Sequence, residues 1–141
     1  MSTEKELDQL FGLLRAIKRQ YRAELIELGI DLAPMHLKVL KMVQQRSGCT
    51  AQAIAAASGR DKAQIARLVH TLRQAGYVRR VENPDDRRSQ LIDIDTAGSK
   101  VLQETAAIHR RIVSTMTRGL SKADQTVFFS VVQQFRNNLA R

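Results

Sequence analysis

The stretch that decides the fold runs from Thr50 to Gly76 and reads TAQAIAAASGRDKAQIARLVHTLRQAG. Thr50 can cap a short helix, which the Ser-Gly-Arg run at residues 58–60 then interrupts. Asp61 and Gln64 stand at capping-box spacing, so a second helix is expected after Asp61, with Gly76 supplying its left-handed end. Two short helices around a three-residue turn predict a helix-turn-helix.

A charged hairpin is expected directly after this motif. Residues 77–81 and 90–95 form short runs rich in β-branched side chains, which is typical of strands. Between them, residues 82–89 read ENPDDRRS and combine turn-forming and charged residues. A hairpin in this position predicts the wing of a winged helix-turn-helix.

The tip of this wing carries two adjacent arginines. Pro84 stiffens the turn, so Arg87 and Arg88 are expected to project toward phosphates or into a narrow minor groove. Asp86 is expected to pin and orient one of them. The alternative is a surface ion cluster that only compensates its own charges, since such pairs are common and contribute little.

The second helix of the motif has a face suited to reading DNA. A stripe of Ile65, Leu68, Val69 and Leu72 is expected to be buried, which turns the opposite side outward. The major groove admits a helix and shows a distinct donor and acceptor pattern for each base pair. The alternative is a solvated helix face. The candidate DNA contacts on the outward side are Lys62, Ala63, Gln64, Arg67, His70 and Thr71.

Long helices are predicted at both ends of the chain. Apolar residues recur at three-and-four spacing over residues 5–30 and 98–140, outside the winged part at 34–96. These helices are expected to form a dimer interface, the alternative being that they pack only on one another. The predicted fold is therefore mainly α (α+β), a single domain over 1–141 with a two-stranded wing and dimerisation helices.

The amino-acid composition indicates what kind of partner the protein binds and in which cellular compartment it is expected. The net charge of +9 and the pI near 10.4 favour an anionic partner. The lone Cys49 suits a reducing cytoplasm and is expected to be a plain buried or idle thiol rather than a redox switch. No apolar run approaches the roughly 18 residues of a membrane span, and the polar N-terminus lacks the pattern of a signal peptide. We expect a soluble cytoplasmic protein.

Catalytic motifs are missing from the sequence. The three histidines, His36, His70 and His109, are far apart, and there is no Gly-rich phosphate loop, His-Glu-x-x-His segment or nucleophile elbow. The chain is therefore expected not to be an enzyme and to hold no metal and no cofactor. The rival to DNA binding is a winged helix that serves protein interaction or RNA binding.

Several segments together resemble the MarR family of bacterial and archaeal transcription regulators. They are residues 50–55, residues 61–69, residues 72–80, the run Asn83-Pro84-Asp85-Asp86-Arg87-Arg88 and Gly98. The Asp-Arg-Arg wing after an Asn-Pro turn is the most specific of these. The resemblance implies a prokaryotic winged-helix homodimer that binds a pseudo-palindromic operator, usually as a repressor. Its two recognition helices would lie about 34 Å apart, one DNA turn.

The resemblance also implies a small-molecule effector. In this family a cleft between the dimer helices and the winged part often receives a phenolic or aromatic carboxylate ligand. The polar residues expected near such a cleft are Arg15, Arg19, His36 and Lys38. The sequence does not specify the operator, the regulated genes, the direction of regulation or the effector.

Two departures from the family pattern affect the prediction. Asp95 stands where the family commonly has Thr, and Asp95 is expected to cap the following helix because it accepts the same backbone hydrogen bonds. The recognition helix begins with Ala63, Gln64 and Ala66 in place of the usual Ser and Thr. A known operator sequence is therefore not transferred to this chain.

Overall fold

The computed structural model describes residues 2–46 and 48–140. Within them the chain is mainly helical with one antiparallel hairpin, which confirms the predicted fold class. The elements in chain order are α1 (Thr3–Glu27), α2 (Pro34–Gln45), α3 (Ala51–Ser58), α4 (Lys62–Gln74), β1 (Val78–Glu82), β2 (Gln90–Ile94), α5 (Thr96–Met116) and α6 (Lys122–Leu139).

Most of the predicted helix ends are present. The Thr50 hydroxyl accepts the Ala53 amide at 3.1 Å, as its predicted capping role requires. At the start of α6, the Ser121 hydroxyl accepts the Asp124 amide at 3.1 Å. Gly59 ends α3 in the left-handed region at φ 67°, where a side chain would be strained. These local signals set both ends of α3, the first helix of the helix-turn-helix, and the start of α6.

The predicted capping box at Asp61 is wrong. Asp61 occupies the N-cap position of α4 with extended backbone, but its side chain makes no capping hydrogen bond. The Asp61 carbonyl still accepts the Ile65 amide at 3.1 Å. Because Ile65 is fully buried, packing against the core holds the start of α4 without the carboxylate.

The wing has a third backbone partner that the sequence pattern did not indicate. β1 and β2 pair antiparallel, with Val78 opposite Ile94 and Arg80 opposite Ile92. The Ile92 amide also donates to the Cys49 carbonyl at 2.7 Å, which ties the wing to the turn before α3. Cys49 is 8% exposed, and burial raises the pKa of its thiol. This thiol is buried, as expected.

The core lies between α2, α3, α4 and the inner half of α5. The largest fully buried side chains are Val39, Leu40, Val43, Ile54, Ile65, Leu72 and Ile108. Six of the seven come from α2, α3 and α4. Since a helix is held mainly by the burial of its apolar face, α4 has a fixed orientation on this core.

Gly98 joins α5 tightly to the winged part. A Cβ at this position would lie 2.3 Å from the Tyr77 carbonyl oxygen and 3.2 Å from a Leu40 methyl carbon. The Asp95 amide donates to the same Tyr77 carbonyl at 2.9 Å, and the Asp95 carboxylate accepts the Thr96 amide at 2.8 Å. Asp95 therefore caps α5, as predicted, and α5 leaves the wing in a defined direction.

The terminal helices are packed less completely. α1 contacts α5 through an ion pair of 2.7 Å between Glu24 and Arg111 and a ring contact between Tyr21 and His109 at 5.1 Å. None of the residues of α6 is buried. No helix in the described part of the chain is long and apolar enough to cross a membrane.

Candidate nucleic-acid interface

The orientation of α4 follows from three buried side chains. Ile65, Val69 and Leu72 recur at four and three residues and are 4% exposed or less. At 3.6 residues per turn they lie on one side of the helix, facing α2 and α3. The structure therefore exposes the other side of α4 along its whole length.

The predicted reading residues lie on or beside this exposed side. Lys62, Ala63, Arg67, His70 and Thr71 are exposed and Gln64 is half-buried. The Thr71 hydroxyl donates to the Arg67 carbonyl at 3.2 Å, so its proton is directed into its own helix. The face thus offers long donors at Lys62 and Arg67 beside the short side chain of Ala63, which lets the helix backbone approach a groove.

The wing tip is stiffened by side chains that bond to the backbone. Asn83 Oδ1 accepts the Asp85 amide at 3.0 Å, and Asn83 Nδ2 donates to the Ser89 hydroxyl at 3.1 Å. Asp86 Oδ1 accepts the Arg88 amide at 3.0 Å. Asn and Asp commonly hold turns in this way. Asn83 was missing from the candidate residues, although an Asn-Pro dipeptide before a charged turn is a signal for this role.

The role predicted for Asp86 changes in one respect. Its carboxylate holds the backbone amide of Arg88, and it forms no ion pair with either guanidinium. An acceptor two residues before a backbone amide forms a turn more easily than a long, exposed arginine side chain is immobilised. Asp86 therefore fixes the path of the chain at the tip and leaves the Arg87 and Arg88 side chains exposed.

A cavity of about 400 Å³ lies between α4, the first residue of α3 and the wing. Ala66 and Val69 of α4 form one wall, Ile92 of β2 forms another, and the remaining lining includes three arginines. The arginines are Arg80, Arg87 and Arg88. The structure thus brings the wing-tip arginines together with a third cation at the side of the recognition helix.

Arg80 was not predicted from the sequence. It pairs with Ile92 in the sheet register, and its neighbour Arg79 pairs with Asp93. Because side chains alternate across a strand, Arg80 shares a face with the buried Val78 and Ile92, which is the face toward α4. The two-residue alternation of a strand, counted from the apolar Val78, is the sequence signal that separates Arg80 from Arg79.

The predicted effector residues do not line the cavity that the structure shows beside α1. A cavity of about 650 Å³ lies between α1 and the loop before α2, with mostly apolar walls and with Lys18, Tyr21 and Arg22 among its lining. Arg15, Arg19, His36 and Lys38 are all absent from its lining. His36 instead accepts the Ala33 amide on Nδ1 at 3.1 Å, at the start of α2.

Sequence comparison matches the chain to one family. The sequence model described as "MarR family" matches residues 32–90, which include the helix-turn-helix and most of the wing. Transcriptional regulator HosA from Escherichia coli O111:H- is 24% identical over 130 residues, covering 92% of this chain and 96% of HosA. The HTH-type transcriptional regulator BilQ from Clostridium symbiosum is 22% identical and covers 91% of both chains.

Structural comparison extends the match beyond the winged part. The crystal structure of Streptococcus pneumoniae FabT in complex with DNA superposes with a TM-score of 0.81 over 98% of this chain and 97% of FabT, at 14% identity. At that identity the likeness shows the fold alone, and it includes the terminal helices. The family match, the relatives of similar length and the predicted Asp-Arg-Arg wing lead to one conclusion. Over residues 32–90 the chain matches the MarR family, whose members are DNA-binding transcriptional regulators and not enzymes.

Proposed function

We propose that this chain works as a homodimeric repressor that binds a pseudo-palindromic operator and is released by a small effector. The observation that carries the dimer is α6, which buries none of its residues in the single chain. Its exposed apolar side chains are Val127, Phe128, Phe129, Val131, Phe135 and Leu139. Apolar surface of this extent on a helix marks an interaction face.

The start of α1 supports the same proposal. Leu7, Leu10, Phe11 and Leu14 are 43% to 51% exposed, whereas Leu25 near the other end of α1 is buried. Only the second half of α1 therefore finds its partners within the chain. A two-fold dimer that covers the start of α1 and the stripe of α6 would bury both faces at once.

Dimerisation gives the two reading heads a fixed spacing. Gly98 and Asp95 hold α5 against the winged part, so the position of each α4 follows the scaffold helices. Two α4 helices about 34 Å apart would enter successive turns of one DNA face. A protein of this kind covers a promoter and acts in the cytoplasm of a prokaryote, with residues 1–141 as one functional unit.

The DNA contacts are divided between the helix and the wing. We assign base reading to the exposed side of α4, where Arg67 has the fork of donors that suits guanine and Gln64 the amide that suits adenine. Lys62, His70 and Thr71 flank them, and Ala63 permits close approach. Arg87 and Arg88 hold the duplex beside the major groove, on a turn that Asp86 stabilises.

The effector is proposed to be a phenolic or aromatic carboxylate that enters the cavity beside α1. Its apolar walls suit an aromatic ring, and Lys18 and Arg22 supply cations for a carboxylate. This cavity lies where α1 meets the loop before α2, so a ligand in it would alter how the scaffold carries the winged part. The residues Arg15, Arg19, His36 and Lys38 remain predictions for a wider cleft that a second subunit would complete.

Selection of bound duplexes from a random pool, followed by anisotropy titration, tests the proposal. We expect a selected site with two inverted half-sites one DNA turn apart and an affinity that falls steeply with salt. Sedimentation should give a dimer mass at the same concentrations. A monomer mass with a single half-site would overturn the dimer, and the absence of duplex binding at low salt would overturn the whole proposal.

A further inference from the structure

The cavity between α4 and the wing holds more positive charge than its surroundings balance. Arg80, Arg87 and Arg88 line it, and none of the three is in an ion pair. In the part of the chain that the structure describes, the only ion pair joins Arg111 to Glu24, on the scaffold helices. Glu82 shares the strand face of Arg80 but lies outside this cavity's lining and leaves the arginine unpaired.

The walls of the cavity strengthen any anion contact made inside it. Ala66, Val69 and Ile92 are small or apolar, and Ala51 opens the cavity toward the first turn of α3. Apolar walls lower the local dielectric, so guanidinium groups act on an anion more strongly there than on an open surface. Three cations that repel one another at one concave site are stabilised when an anion lies between them.

The position of the cavity identifies the anion. When a recognition helix lies in the major groove and a wing reaches the next minor groove, the strand that separates the two grooves must pass between them. That ridge is sugar and phosphate, and its phosphates carry the charge of the duplex. The cavity occupies this place in the protein, since α4 forms one wall and β2 another.

We propose that Arg80 binds one backbone phosphate of the operator, in the cavity that Arg87 and Arg88 complete. Arg80 lies two residues before the end of β1 and is backed by the paired Ile92, so its Cα is held by the sheet rather than by the turn at the tip. A guanidinium offers five donors in a planar fork that matches two phosphate oxygens. This inference rests on the proposed DNA binding and adds the residue that fixes the wing on the duplex.

The chain offers a matched control one residue away. Arg79 has the same charge, is also exposed and lies in the same strand, but it points to the opposite face and pairs with Asp93 in the register. Arg80→Gln and Arg79→Gln therefore remove the same charge from the two faces of one strand. Arg80→Lys keeps the charge and loses the fork.

The first measurement is the salt dependence of binding to the selected duplex. Each lost phosphate contact lowers the slope of log K against log salt by about 0.9. We expect Arg80→Gln to reduce the slope by about that amount per bound subunit, and Arg79→Gln to change it far less. Arg80→Lys should keep the slope but bind several-fold more weakly. Equal slopes for the two Gln variants would overturn the inference.

The second measurement places the contact on the DNA. Single neutral methylphosphonate linkages are introduced along the strand between the major groove half-site and the adjacent minor groove. Wild-type protein should lose about tenfold in affinity at one linkage per half-site, and Arg80→Gln should be insensitive to that linkage. Sensitivity that persists unchanged in Arg80→Gln would contradict the assignment.

Two further outcomes separate this inference from its rivals. If wild-type protein does not bind the duplex at all, the proposed function fails and not only the role of Arg80. If the methylphosphonate scan is flat but inorganic phosphate protects the protein against thermal unfolding in an Arg80-dependent way, the cavity serves a free anion and the inference is overturned.

Discussion

The winged part and α6 contain similar apolar residues but bury them very differently. Ile54, Ile65 and Leu72 are completely buried within the single chain, whereas Phe128 and Phe135 are 38% and 48% exposed. The winged part therefore completes its core alone, and α6 requires other surface to cover it. This difference agrees with the proposed division between a winged part that reads DNA and an α6 that forms the dimer.

The largest effect is expected from a charge placed on the apolar stripe of α6, because this variant tests whether α6 needs a second subunit to cover it. Phe135→Asp would place a carboxylate in the proposed interface, and we expect a loss of about 3 to 5 kcal/mol in dimer stability, more than 100-fold in the dissociation constant. Sedimentation equilibrium measures this change. Far-ultraviolet circular dichroism should show that the helices of the winged part are retained.

Gln133→Asp is the matched control for that variant. Gln133 lies on the other side of α6, where its side chain donates to Asn137 at 2.9 Å, and it receives the same new charge. It should remain dimeric within a few-fold. If Phe135→Asp is as dimeric as Gln133→Asp, the exposed stripe is not the subunit interface.

The converse variant acts on the winged part. Ile65→Ala removes methyl groups from a fully buried site under the recognition helix, which typically costs about 2 to 5 kcal/mol in the free energy of unfolding. Chemical denaturation measures it, at a fixed protein concentration because a dimer's stability depends on concentration. If Ile65→Ala raises the dissociation constant of the dimer but leaves the free energy of unfolding of the winged part unchanged, the proposed division between the two regions is wrong.

The contact between α5 and the winged part can be loosened at Gly98. A Cβ there would meet the Tyr77 carbonyl at 2.3 Å, so Gly98→Ala must push α5 away from the turn after α4. Overpacking of this kind costs about 1 to 3 kcal/mol in stability. We also expect Gly98→Ala to lose more affinity, relative to the wild type, for the operator with two half-sites than for a duplex with one half-site. The reason is that the distance between the two α4 helices changes. Equal losses on both duplexes would show that Gly98 serves stability only.

Substitutions should distinguish the residue that reads bases, Arg67, from the residue that holds the DNA without regard to sequence, Arg88. Arg67→Ala is expected to cost about 1 to 3 kcal/mol in binding and to relax preference at one or two base pairs, and Arg88→Ala to weaken binding to every sequence alike. Competition titrations with specific and random duplexes distinguish the two. An equal loss on both kinds of DNA from Arg67→Ala would contradict its reading role.

The sequence predicted those parts of the fold that depend on local rules. Thr50 and Gly59 indicate the two ends of α3, and three-and-four spacing defines the buried side of α4. The contact of Cys49 with Ile92 spans 43 residues and could not be read from either segment alone. Asp86 shows the other limit, because a carboxylate beside two arginines suggests an ion pair, and the nearer backbone amide takes it instead.

The site was predictable in composition but not in shape. The outward side of α4 follows from its buried stripe, whereas the cavity needs the distance between α4 and the wing, which only packing sets. The same holds for the cavity beside α1, whose lining includes Lys18 and Arg22 rather than the four residues predicted from the resemblance. Short-range sequence patterns assign residues to the faces of helices and strands, but tertiary packing determines which of these faces are in contact.

The smallest expected effect concerns His109, at the junction of α1 and α5. His109 of α5 contacts the Tyr21 ring of α1 and senses the charge of Lys41 of α2. Burial, and then the nearby Lys41, lower the pKa of His109 below its ordinary value. The unfolded chain therefore takes up this proton at a higher pH than the folded chain, so stability should fall as pH drops from about 7 through about 6.5 and below.

His109→Gln tests this junction because it keeps a polar side chain and removes the titration. Its unfolding free energy should vary less between pH 7 and pH 5.5 than that of the wild type, in denaturant titrations at about 0.15 M salt. The effect should be modest, since much of the imidazole is exposed to solvent. His70→Gln is the control, because it makes the same replacement at an exposed position of α4. If His109→Gln keeps the full pH dependence of the wild type, the acid-sensitive contact does not lie at the junction of α1 and α5.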